Sequence, residues 1–295
     1  YQEFTVVYRA GYFGIDDTGS IKLVHRFASD MGRPQFTDPE GPNYTTVEAS
    51  NGAVLHVEYD MKRNIRPWDK TLYITVVRGF LREGDEIIVR FGDRRQGSPG
   101  IRLQTFCEDT FEFRVLVDAI ATYNYVELPK QPTITIIPGP PVLFKAILPT
   151  LRRAGEAFRL GLKGEDRWGN PSDRCDQTVT VRANMAVDGL PDTVTFKTGQ
   201  FAEIFDGLVV QDEGDLIVEL LDAAGGVVAS SNPCRIVAKA DLLPYWGDLH
   251  GQSEETIGTN SARDFYDFGR NKAFLDVCVH QGNDFQITAE FWEHL

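Results

Sequence analysis

The stretch "YWGDLHGQSEETIGTN", Tyr245–Asn260, decides how the chain divides. It places Asp248, His250, Gln252 and Ser253 within six positions, directly after the short apolar run "LLPYW". The next residues are patterned for a helix. In "SARDFYDFGRNK", Ser261 suits the N-cap, Asp264 stands three residues on as its capping-box partner, and Phe265 and Phe268 share a face. Then comes "AFLDVCV", a continuous apolar run of the kind found in strands buried on both faces. Strand, helix, strand reads as a βαβ unit. Leu242–His250 and Phe274–His280 are therefore expected to be parallel neighbours, bridged by a helix over about 261–271.

The chain before this stretch reads differently. "EFTVVYRA", "KTLYITVVRG", "DEIIVRFGD" and "FEFRVLVDAI" alternate apolar and polar residues, with turn chemistry such as "IDDTGS" and "REGD" between them. In the last of these runs Phe111, Phe113, Val115 and Val117 fall on one face. "PGPPV" at 138–142 reads as a linker, because its prolines supply no backbone donors. A second strand series runs from "LFKAILP" to "CRIVA", joined in part by the turn "DRWGNPSD". Its length and turn spacing suit an immunoglobulin-like sandwich. The expected fold is mainly β. Residues 1–137 form an N-terminal β-sandwich, 138–238 an Ig-like β-sandwich, and 239–295 the first βαβ unit of an α/β domain. That last segment is far shorter than the roughly 200 residues of a β/α barrel. Either 239–295 packs against the second β domain or a longer polypeptide has been shortened, and the chain as given is expected to be inactive by itself.

Two parallel strands present their C-terminal ends on one sheet edge, where α/β folds build their sites. Asp248, His250 and Gln252 are therefore expected to face the same crevice as His280, Asn283 and Asp284. Imidazole and carboxylate groups so grouped suit a divalent metal. The plainer alternative is a hydrogen-bonded surface histidine at each strand end. His25 and His56 lack such company and read as structural, and His294 is assigned to a frayed terminus. Asp16 and Asp17 lack the spaced acidic ligands of a calcium loop. Arg94 and Arg95, in "GDRRQGSPG", read as solvated turn residues rather than a phosphate loop.

"YWGDLHGQS…ETIGTNSARDFYDFGR…AFLDVCVHQGNDFQIT" resembles the start of the catalytic domain in a widespread bacterial family of unknown function. That family's C-terminal half is similar to the PHP (polymerase and histidinol phosphatase) metal-dependent phosphoesterases. "GDRRQGSPGIRLQTF" and "GEAFRLGLKGEDRWGNP" resemble the family's N-terminal region, so the likeness spans most of the chain. It implies a distorted β/α barrel binding two or three metal ions, commonly zinc, manganese or iron. The first motif of that superfamily is Asp-Leu-His-x-His. Asp248, Leu249 and His250 match it, and Gln252 stands where the second His would be. His280 to Asp284 occupy the place of a Thr-Asp-His motif. The resemblance thus implies metal ligation by His250, Asp248, His280 and Asp284, with Gln252 bonded to a metal-bound water or the substrate. The implied substrate is a phosphoester or another small molecule.

The net charge is −13 and the sequence pI about 4.9, which argues against a nucleic-acid partner. No apolar run approaches the ~20 residues of a membrane helix. The expected location is cytoplasmic. The first residue is Tyr1, so a removed signal peptide stays open. The four cysteines read as reduced thiols, with Cys175 and Cys234 able to pair in an oxidising compartment. A rival reading makes the β domains a binding or assembly module for a polysaccharide or a protein partner. Trp68, Tyr123, Tyr125 and Trp168 would then stack on the ligand. A shared, exposed platform would favour that reading, and burial a structural role.

Overall fold

In the computed structural model, which describes residues 1–282 and 287–295, the chain forms two compact units, Tyr1–Ile136 and Ile137–Leu295. The fold is mainly β and most pairings are antiparallel. In the first unit the strands are β1 (Phe4–Arg9), β2 (Ser20–His25), β3 (Thr45–Ala49), β4 (Val54–Asp60) and β5 (Lys70–Arg78). They continue as β6 (Glu86–Phe91), β7 (Glu108–Glu112), β8 (Arg114–Asp118), β9 (Val126–Glu127) and β10 (Thr133–Ile136). One sheet has the order β1-β6-β3, a second the order β4-β5-β2-β8-β9, and β10 pairs with β7.

The alternation seen in the sequence is what closes this unit. Val6, Ile87, Val89 and Phe91 from the first sheet share one core with Ile21, Leu23, Leu72, Ile74 and Val115 from the second. Phe111 and Phe113 join that core as the one-face pattern predicts, and Val117 is packed against it. In the turn "GDRRQGSPG" Arg94 and Arg95 are exposed, as the sequence reading has them, and they are also hydrogen-bonded. Asp93 is buried and accepts from Nε and Nη2 of Arg95 and from Thr46 Oγ1, while Arg94 Nη2 donates to the Tyr1 carbonyl. The Arg95 guanidinium holds the Asp93 carboxyl well below the usual carboxylate range.

The second unit continues with β11 (Leu143–Ile147), β12 (Leu151–Arg153), β13 (Phe158–Glu165), β14 (Gln177–Ala183), β15 (Thr193–Phe196) and β16 (Glu203–Leu208). After these come β17 (Gly214–Leu216), β18 (Val218–Leu221), β19 (Val227–Ser230) and β20 (Cys234–Val237). Three small sheets, β11-β13-β16, β12-β20-β17 and β15-β14-β18-β19, enclose a core that includes Leu160, Leu162, Val179, Leu216, Leu220 and Ile236. None of the four cysteines is in a disulfide. Burial pushes the Cys234 thiol up to about 11. Asp166, buried at the head of "DRWGNPSD", accepts from the Trp168, Asn170 and Gly139 amides. This ties the proline-rich segment to that turn.

The same unit ends in β21 (Gly247–Gly251), α1 (Ala262–Asn271), β22 (Val277–His280) and α2 (Ala289–His294). β21 and β22 are parallel, with Gly247 opposite Val277 and Gly251 opposite His280. The capping box is present: Ser261 Oγ accepts from the Asp264 amide, and the Asp264 carboxylate accepts from the Ser261 amide. The first strand begins at Gly247 and not at Leu242, since Pro244 cannot donate to a ladder. β22 is not buried on both faces either. Val277 and Val279 are 46% and 43% exposed, and among the described residues β21 is the one strand paired with β22. His294 closes a helix instead of fraying. Among the described residues no helix is long and apolar enough to cross a membrane.

The segment does pack against the second β unit. The Phe274 ring lies where a Cβ on Gly161 would sit, only 2.6 Å from its atoms. Lys163 Nζ stands 5.6 Å from that ring's centroid, and Lys272 Nζ is 4.1 Å from the Phe201 ring centroid. Arg153 Nη2 donates to the Ala240 carbonyl at 2.7 Å.

Candidate functional site

The site is built where β21 and β22 end. Gly251 lies under the Phe265 ring of α1, which would meet a Cβ there at 2.1 Å, so only glycine lets helix and strand approach this closely. The Gln281 amide donates to the Gly251 carbonyl and carries the parallel pairing one step further. Beyond Gly251 the chain folds back on itself. The amides of Thr256 and Gly258 donate to the Ser253 carbonyl, and the Glu254 amide donates to the Asn260 carbonyl. Glu255 closes the loop by accepting from the Ala262 amide at the start of α1, where a negative charge is favoured by the helix dipole.

This folding brings Ser253 onto His280. Ser253 Oγ and His280 Nε2 are 2.7 Å apart, and both residues are buried. The rings of Phe265 and Phe291 flank the imidazole with centroids 6.4 and 6.3 Å away. His280 Nδ1 is buried and has no hydrogen-bond partner among the described residues. Thr256 Oγ1 donates to Oε1 of Gln252, the residue offered by the sequence reading to a metal-bound water or substrate, at 2.8 Å and takes one of that oxygen's two acceptor positions. Gln252 Nε2 reaches Gln281 Oε1 only at 3.5 Å.

The sequence-predicted donors are placed unevenly. His250 and His280 are on the same edge of a parallel pair, as the βαβ reading requires. Yet Asp248 and His250 are exposed, and Asp248 Oδ1 accepts from the His250 amide at 2.8 Å. Asp248 therefore shapes its own strand end. The register shifts between Asp248 and Gly251, which breaks the simple alternation that would aim Asp248, His250 and Gln252 together. Among the described residues no three His, Cys, Asp or Glu side chains converge as a metal-binding group. Asp284 and Asn283 lie outside the described residues. The described side chains thus do not fit a metal centre of two or three ions. Ser253, which sequence reasoning left without a role, is the residue bonded to His280. Its position three after His250 was the available signal.

The aromatics proposed for a stacking platform are also divided. Trp68 is buried, with the Arg114 and Arg26 guanidinium carbons 3.9 and 4.7 Å from its ring centroid. Tyr125 is held by Ser20 and Tyr73 through its hydroxyl, with Lys22 Nζ 3.9 Å from its ring centroid. Tyr123 and Trp168 are exposed, but they belong to different units.

No family model matches the chain, and no curated protein matches it. Among solved structures it is similar to the adhesin InvE of Yersinia pseudotuberculosis, at 11% identity and a TM-score of 0.24. The likeness covers 82% of this chain and 65% of that one. The chain thus spans less than two thirds of the structure it matches, and likeness at this level carries no argument about function.

Proposed function

We propose that residues 239–295 open the catalytic domain of a hydrolase of the metal-dependent, PHP-like phosphoesterase kind, and that the Ig-like β-sandwich regions before them are its accessory part. One observation carries the reading. "GDLHGQS" and "VCVHQG" end side by side on a parallel pair, with Gly251 opposite His280 and the helix between them capped as the sequence demands. In α/β folds that edge is where reacting groups are placed. The described donors do not by themselves make a metal centre, so no step is written through a metal. This chain's own contribution is positional. Ser253 holds the His280 ring through its Nε2, and Asp248 holds the His250 backbone.

The test is metal uptake by the full chain. After loading with zinc or manganese and repurification, elemental analysis should find weak, substoichiometric metal that falls further in His250→Ala. Phosphoester turnover should be absent from the chain alone. Metal content unchanged in both His250→Ala and Asp248→Ala would overturn the assignment of these residues.

A second reading, a binding or assembly module for a polysaccharide or protein, is supported by two exposed aromatics on hydrogen-bonded loops. Tyr123 keeps a positive φ of 63° while its amide donates to buried Asp118. A bulky residue in that backbone region is strained. Trp168 tops the Asp166-bonded turn and is 50% exposed. Glycan binding lost in Tyr123→Ala or Trp168→Ala would favour this reading, and a chain with no glycan or protein ligand would count against it.

A further inference from the structure

We propose a separate binding site for a ligand that carries a tetrahedral oxyanion, a phosphate or sulfate group, in the cleft between α1 and the second unit's β-sheets. The cleft has a volume of about 640 Å³ and is lined by Arg152, Arg159, Asp206, Tyr266, Arg270 and Asp276 among others. Small-molecule sites commonly fall in this size range and at such junctions.

Charge assigns the ligand class. Asp206 is already paired with Arg159, Oδ1 to Nε at 2.8 Å. Asp276 Oδ2 accepts from the Trp246 amide at 2.8 Å. Arg152 donates to the Leu151 carbonyl and stands 5.7 Å from the Tyr245 ring centroid. Neither Arg152 nor Arg270 forms an ion pair among the described residues. Three arginines and two aspartates line the cleft, a surplus of one positive charge in a chain of net charge −13, with Arg152 and Arg270 on its wall and outside any ion pair among the described residues. The last-turn position of Arg270 suits the α1 dipole, but that does not account for Arg152, which comes from β12. Guanidinium forks match tetrahedral oxyanions in shape and charge. The Tyr266 and Phe274 rings line the same cleft, against which an organic portion of the ligand would rest. Asp276 and Cys278 place the cleft at the start of β22, the end away from His280 and Ser253. The site shares no residue with the proposed catalytic edge, so either proposal can fail alone.

Calorimetric titration of the full chain with inorganic phosphate, and separately with inorganic sulfate, at fixed ionic strength tests the proposal. Saturable one-site binding is expected, weakened by at least about tenfold in Arg270→Glu and in Arg152→Gln, because each removes one fork. Arg82→Gln, in the first unit, should bind as the wild type does. The tighter of the two anions names the ligand's headgroup. Circular dichroism checks folding, and if Arg152→Gln fails that check the exposed Arg270→Glu decides alone. Absence of saturable binding in the wild type, or equal affinity in Arg270→Glu, overturns the site.

Discussion

The core strands of the first unit and the paired strands at the end of the second are both β-structure, yet they spend their apolar residues in opposite ways. β2 buries Ile21, Leu23 and Val24 almost completely, and β6 buries Ile87, Val89 and Phe91. In β21 and β22 the buried positions are Gly251 and His280, while Leu249, Val277 and Val279 face outward. A sheet that buries its apolar face supplies its own stability. A two-stranded pair that buries a Ser–His contact and exposes its valines does not. It depends on α1 and on the Phe274 ring seated over Gly161. Groups with little packing holding them are the ones that open first, and sites draw on such regions.

The largest effect expected is on the self-sufficient side. Phe113, 1% exposed, stacks with Phe91 at 5.3 Å. Phe113→Ala should cost about 3–5 kcal/mol in urea unfolding through the cavity it leaves. A loss below about 1 kcal/mol would break the comparison from that side.

Acid should act on the same core. Burial, then the nearby Lys70 ammonium, pushes His25 down from 6.5 to about 3. The folded unit resists protonation that the unfolded chain accepts. This stability is full above about pH 6.5, is lost as pH falls, and levels off near about pH 3. The loss between about pH 7 and pH 4 should be about 3 kcal/mol. His25→Leu should flatten that slope by nearly one proton when unfolding is followed against pH. An unchanged slope would show that other groups carry the pH dependence.

On the dependent side, Gly161→Ala should displace the Phe274 ring while the β-strand itself tolerates the extra methyl. A cost of about 1–3 kcal/mol is expected for such a clash. Limited proteolysis should show faster cleavage within 239–280 and no change in the first unit. The smallest effect expected is Ser261→Ala, about 1 kcal/mol of helix stability, read as faster amide exchange in α1.

The sequence was informative wherever a local rule had a single solution. The alternation in "FEFRVLVDAI" places Phe111, Phe113 and Val115 in the core, and Ser261 with Asp264 marks the start of α1 to the residue. Parallel pairing of the last two strands followed from the strand–helix–strand order. The site was harder to read because side-chain direction depends on register, and a shift between Asp248 and Gly251 is not written in residue types. Likewise "AFLDVCV" is apolar enough for a doubly covered strand, but hydropathy does not say whether a covering layer is there. Ser253 was visible in "DLHGQS", but its contact with His280 depends on how the loop to Asn260 turns back.

The most direct test of the contrast is amide hydrogen exchange resolved by peptide across the whole chain. Ser20–His25 and Glu86–Phe91 should exchange only with global unfolding of their unit. Gly247–Gly251 and Val277–His280 should exchange at least about 100-fold faster, through local opening. Equal protection of the two sets would contradict the account, because strands at the end of the chain would then be as self-supporting as those of the core.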